Sequence, residues 1–103
     1  MQRELWIGLV HLKPLDRKAH DFAGAYTNVI AWAECVEGFE RKAAEIAAEL
    51  GFYVVEVEDA EPMKQRFADG SMPEEMEEMA MRAERGPDAI VYDTFHCYPF
   101  DDA

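Results

Sequence analysis

The stretch from Cys35 to Glu61 constrains the fold most, because a helical pattern ends there at a glycine and a strand pattern begins at once. Phe39, Ala43, Ile46, Ala47 and Leu50 recur at three- and four-residue intervals, while Glu40, Arg41, Glu45 and Glu49 fall on the other side. That spacing predicts a helix with one buried face. Gly51 supplies the positive-φ residue that commonly stops a helix. Phe52 to Glu58 (FYVVEVE) follows with aromatic and β-branched residues suited to a pleated surface. A helix that feeds directly into a strand points to a layered α+β arrangement.

The flanking segments extend this reading. Leu5 to Leu12 is short and apolar, and Lys13-Pro14 bounds it because proline has no N–H to donate to a ladder. Tyr26 to Ala33 mixes alanine with Tyr, Thr, Val, Ile and Trp, and the latter favour a second strand. The polar stretch from Lys13 to Gly24 is too long for a tight turn and forms the tip of a long hairpin. Asp59 to Gly70 reads as an irregular loop, with Pro62 blocking regular pairing. Ser71-Met72-Pro73-Glu74 reads as a capping box, which opens a second helix with Met72, Met76, Met79, Ala80 and Ala83 on its inner face. Gly86-Pro87 ends that helix, and Ala89 to Tyr98 supplies the last strand. The predicted order is β-β-α-β-α-β. It describes a small α+β two-layer sandwich, a four-stranded mixed sheet packed by two amphipathic helices, as a single domain over residues 1–103.

A chain of 103 residues, half of them hydrophobic, is long enough to bury roughly two-thirds of its unfolded surface around one core. Helices confined to one face would leave the other sheet face needing cover, which a homodimer supplies. The first 33 residues carry four Lys or Arg against three acids, and the remaining 70 carry six against nineteen. Such a field repels phosphates, so nucleic acid is not an expected partner; a basic protein, a cation or plain solubility accounts for it better. No basic leader or long apolar run is visible, so neither export nor a membrane span is expected. Cys35 and Cys97, with no C-x-x-C pair, fit two buried, reduced thiols in the cytoplasm.

Ligand-binding candidates concentrate in two places. In a regular strand Tyr92, Thr94, His96 and Tyr98 share one face and Phe95 and Cys97 the other, so a polar-tipped stripe with a histidine able to exchange protons near neutrality is expected. His96 and Cys97 then point apart, which disfavours a thiolate nucleophile. His11 at the end of the first strand and His20 in the following loop form the second place; with Asp16 and Asp21 nearby they offer metal-ligand types, but no H-x-x-x-H or H-E-x-x-H spacing occurs, so no metal is expected. The phosphate-binding and hydrolase glycine motifs are absent, and no cofactor is expected. The acids Glu56, Glu58, Asp59, Glu61, Glu74, Glu75, Glu77 and Glu78 are candidates for meeting a cationic partner, or else form solvated faces. Methionines 63, 72, 76, 79 and 81 read chiefly as helix core.

These features point first to a non-catalytic, homo-oligomeric protein- or ligand-binding domain with no assigned catalytic residue. An acidic inhibitor of a basic protein is the first alternative, the length and acidity being similar to those of small immunity proteins. A small proton-transfer enzyme using His96 and Tyr98 is the second.

Overall fold

β1 (Glu4–Pro14) and β2 (Gly24–Ala33) pair antiparallel, with Glu4 opposite Ala33 and Leu12 opposite Ala25. The structure is a computed structural model that describes residues 3–16, 18, 22–86 and 89–99. α1 (Val36–Glu49) follows, and Gly51, at φ 87°, turns the chain into β3 (Phe52–Pro62) as the sequence predicts. Next come a single turn, α2 (Met63–Arg66), the helix α3 (Glu74–Ala83) and two short strands, β4 (Ile90–Tyr92) and β5 (His96–Tyr98). The sheet order is β3-β1-β2-β4, with β5 also on β2. Among the described residues, no helix is long and apolar enough to cross a membrane.

Every neighbouring pair is antiparallel, so the sheet is not mixed as expected. β2 and β3, joined through α1, do run in the same direction, but β1 lies between them. Helices also lie on both faces, which replaces the expected two layers by three. The cause is visible in β1 and β2, which carry apolar residues on both sides. Val10, Leu12, Val29, Ala31 and Ala33 meet Phe39, Ala43 and Ala47 of α1, while Ile7 and Ile30 meet Met63, Met76, Met79 and Ala83 on the reverse side. Alternation makes these two sets opposite faces of one pleated sheet. Among the described residues, helices cover the second face only at one end. Leu5, Ile7, Ile30 and Val91 lie under the methionines, whereas Leu9, His11, Tyr26 and Asn28 belong to neither cluster and are half-buried.

Three local expectations are corrected. Residues 59–62 extend β3 rather than forming a loop; Pro62 is accommodated because it ends an edge strand opposite Trp6. Asp59 sits at φ 55° in a register shift opposite Gly8, and Arg66 pins it by bonding the Asp59 carbonyl and, at 2.8 Å, the Glu61 carboxylate. The capping box does not form. Ser71 gives both its N–H and its hydroxyl to Asp69 Oδ1, so α3 starts after Pro73 without a side-chain cap. These bonds hold the Asp69 carboxyl below its usual range. Finally, the expected strand over 89–98 is broken in two. Tyr92 lies opposite Val29 and His96 opposite Tyr26, so three residues on one strand face two on the other, a one-residue bulge. Thr27, 1% exposed, fixes it by donating its hydroxyl to the Asp93 carbonyl at 2.9 Å, while Asp93 N–H reaches Asn28 O at 3.0 Å.

Close approach of α1 depends on Gly8. A Cβ there would fall 2.8 Å from Cε2 of fully buried Phe39 and 3.3 Å from the Ala60 backbone. Alanine in a strand gains roughly 0.5–1 kcal/mol over glycine in chain entropy, but overpacking a close-packed core costs about 1–3 kcal/mol. Gly8→Ala is therefore expected to lower the urea unfolding free energy by about 1–2 kcal/mol, and Phe39→Leu in the same chain to recover part of that loss. An unchanged or raised unfolding midpoint in Gly8→Ala contradicts the packing described.

Candidate functional site

The bulge at residues 93–95 decides which side chains meet. Because it inserts one residue, alternation is reset between β4 and β5. Tyr92 points to the α1 face, where its ring lies 5.7 Å from Phe95, and it is separated from His96 and Tyr98. Thr94 is exposed within the bulge, its N–H held by the Asp93 carboxylate at 2.7 Å. Beyond the bulge, His96 and Tyr98 oppose Tyr26 and Gly24 and so share the partly uncovered face with them. His11, opposite Tyr26 across the β1–β2 ladder, joins the same face. His20 lies outside the described residues.

The structure thus assembles His11, Tyr26 and Tyr98 from three strands. The His11 imidazole stacks on Tyr26, with centroids 4.4 Å apart and planes inclined by 10°, and its Nε2 lies 2.5 Å from the Tyr98 hydroxyl. Tyr98 completes the triangle with its ring 5.6 Å from His11 and 5.9 Å from Tyr26. Gly24 makes this seat possible, since a Cβ there would overlap the Tyr98 hydroxyl and come 2.8 Å from the Leu12 carbonyl oxygen. Exposed His96 stands on the rim without a bond to Tyr98, which turns to His11 instead. Glu56 lies opposite His11 on β3 and Glu58 opposite Leu9, both exposed, while Tyr53 opposes Lys13.

Burial, then the proximity of Tyr26 and Tyr53, raises the Tyr98 pKa above the ordinary 10.0. The phenol keeps its proton at neutral pH, and its hydroxyl shares a hydrogen bond with Nε2 of His11. A hydroxyl that resists ionisation is a poor proton donor in catalysis, so it positions its partner.

Sequence reasoning misses Tyr26. Its stacking on His11 is a product of strand register, and neither residue type nor spacing announces that pairing. The acidic candidates fall into separate groups. Glu56, Glu58 and Asp59 are exposed on edge strand β3, and half-buried Glu61 is paired with Arg66. Glu74, Glu75, Glu77 and Glu78 are exposed on α3, which packs on β2 and β4, across β1 from that strand. Both thiols are free as expected; Cys35 is half-buried, but Cys97 is exposed because it sits on a three-residue edge strand. Among the described residues no group of His, Cys, Asp or Glu could hold a metal ion.

No family model matches this chain, and no curated protein and no solved structure matches it either.

The raised Tyr98 pKa ties this cluster to stability. Above pH 10 an unfolded tyrosine loses its proton while the folded one keeps it, so the stabilisation is complete below pH 10 and fades as pH climbs through the folded value. Tyrosinate absorbance is expected to show one of the four tyrosines ionising later than the rest. Tyr98→Phe should remove that late component and flatten the alkaline fall in unfolding free energy; a late component that survives the substitution refutes the assignment.

Proposed function

We propose that this protein is a non-catalytic binding domain that holds a small planar ligand on the open half of its sheet, against the Tyr26–His11–Tyr98 cluster. The observation that carries this reading is the His11 ring, laid flat on Tyr26 and fixed by Tyr98 on a face that no described helix covers. Three aromatic rings with Leu9 beside them offer apolar area and ring faces, and the second ring nitrogen of His11 offers one directed polar group. Such a surface suits an aromatic or heteroaromatic ring bearing one hydrogen-bonding group. A binding role fits the chemistry better than proton transfer through His96 and Tyr98, because Tyr98 resists ionisation and is committed to His11. Less supports an acidic inhibitor, since the two acidic groups lie on elements separated by β1 and Glu61 is already paired. The two free thiols suit a reducing compartment such as the cytoplasm.

Titration with indole, nicotinamide and benzoate, followed by ligand-detected and protein-detected NMR, tests the reading. At least one probe is expected to bind saturably and to move the signals of His11, Tyr26 and Tyr98, and His11→Ala should weaken it about tenfold, the scale of one lost stacking and hydrogen-bonding partner. Binding by none of the three, or shifts that map elsewhere, defeats the proposal. Signals of the same residues that move on dilution, together with a falling sedimentation coefficient, would instead give the face to a second copy of the chain.

A further inference from the structure

The Tyr26 ring covers one face of the His11 imidazole, with centroids 4.4 Å apart and planes nearly parallel. The other face of that imidazole therefore looks away from β2, along the row of side chains that crosses the sheet toward β3. Glu56 is the next residue in that row, directly opposite His11, and Glu58 follows one pleat along, opposite Leu9. Strand pairing puts these four residues on one side of the sheet. Adjacent strands stand about 4.8 Å apart and alternate residues of one strand about 6.5 Å apart, so both carboxylates border the free face of the fixed imidazole, with Leu9 alongside.

The charges beside this ring are free to act. Glu56 and Glu58 are both exposed, and among the described residues no hydrogen bond or ion pair engages either carboxylate. Their side chains can therefore swing outward and admit a ring. Farther along β3 Glu61 is different, because Arg66 already occupies it at 2.8 Å. Lys13 belongs to the same face, but it stands on the other side of His11 from Leu9, across from Tyr53. Two carboxylates against one ammonium leave the surroundings of His11 negative, and the net charge of −12 adds to the same field. A stacking surface beside two unpaired carboxylates complements a ring that carries a positive charge, since the ring takes the stacking and the cation takes the acids.

We infer that the planar ligand of this face is an aromatic amine, with its ring on the free face of His11 and its ammonium between Glu56 and Glu58. The inference rests on the planar-ligand reading and names the chemical class of that ligand. A link of about two carbons between ring and nitrogen is of the order of the strand spacing it has to bridge.

Tryptamine, 3-ethylindole and indole-3-propionate share one ring and differ in charge. Calorimetric and NMR titrations of the full chain with these probes, at about pH 8 where an alkyl ammonium keeps its proton, test the assignment. Tryptamine is expected to bind about three- to tenfold tighter than uncharged 3-ethylindole, the modest gain of exposed ion pairs, and indole-3-propionate to bind more weakly than tryptamine. Added salt should shrink the gain. Glu56→Gln with Glu58→Gln should bring tryptamine down to the level of 3-ethylindole while leaving the affinity for 3-ethylindole and the unfolding midpoint unchanged. Glu74→Gln with Glu75→Gln, which removes as much charge from α3, should leave the gain in place. If 3-ethylindole binds at the His11 cluster and tryptamine binds no tighter, or if the gain survives the β3 substitutions or falls equally with those on α3, the inference is overturned and the planar-ligand reading stands. Binding by none of the three defeats both.

Discussion

β1 is the strand on which the rest of the fold depends, because it is paired on both edges and flanked by side chains that must be buried on both faces. Its even-numbered residues Val10, Leu12 and Pro14 belong to the α1 side, and Gly8 leaves that side open for the Phe39 ring. Its odd-numbered residues begin as Leu5 and Ile7 under the methionines and end as Leu9, His11 and Lys13 on sheet that no described helix covers. One strand therefore sets the depth of α1, the seat of α2 and α3, and the boundary between covered and uncovered surface. A one-residue slip would exchange these sets and bury His11 and Lys13 against α1, a cost that fixes the register.

The two irregularities of the sheet work within that frame. On the β3 side, the shift at Asp59 gives Gly8 two opposing residues, and Arg66 closes the gap by binding the Asp59 carbonyl and Glu61 together. On the β2 side, the bulge at residues 93–95 turns Phe95 inward to Phe52, 5.5 Å away, and sends His96 and Tyr98 outward. Buried Thr27 satisfies the carbonyl that the bulge would otherwise strand. The aromatic cluster is thus a consequence of sheet geometry: β5 can deliver Tyr98 to His11 only because the ladder gained a residue and because Gly24 leaves room beside it.

Much of the architecture is legible in the chain. The spacing of Phe39, Ala43 and Ala47 gives the buried face of α1, and that of Met76, Met79 and Ala83 gives α3. Gly51 ends the first helix where its lack of a side chain suggests, and the β-branched and aromatic content of residues 26–33 outweighs their alanines. What is illegible is anything decided by a partner strand. Ser71 and Glu74 have the residue types of a capping box, but Ser71 gives its N–H and hydroxyl proton to the Asp69 carboxylate in a local turn, and α3 starts after Pro73 without a side-chain cap. Tyr92 and Tyr98 are six residues apart and would share a face in any unbroken strand. The bulge that separates them is held by the bonds of Asp93 with Thr27 and Asn28, the former made across 66 residues of sequence. Of the candidate ligand residues, His11, His96 and Tyr98 come to one surface and Tyr92 and Thr94 do not.

The acidity of the chain has a physical use in this architecture. β3 spans 11 residues at the edge of the sheet, and among the described residues no strand lies beside its outer backbone groups. Tyr53 and Val55, 46% and 45% exposed, add the apolar surface that makes such an edge adhesive to other chains. Glu56, Glu58 and Asp59 follow on the same edge, and two register shifts distort its line. A foreign strand that docked there would bring its backbone against a row of carboxylates on a kinked template, losing both charge hydration and regular hydrogen bonds. By their position the acids of β3 guard this edge against a foreign strand.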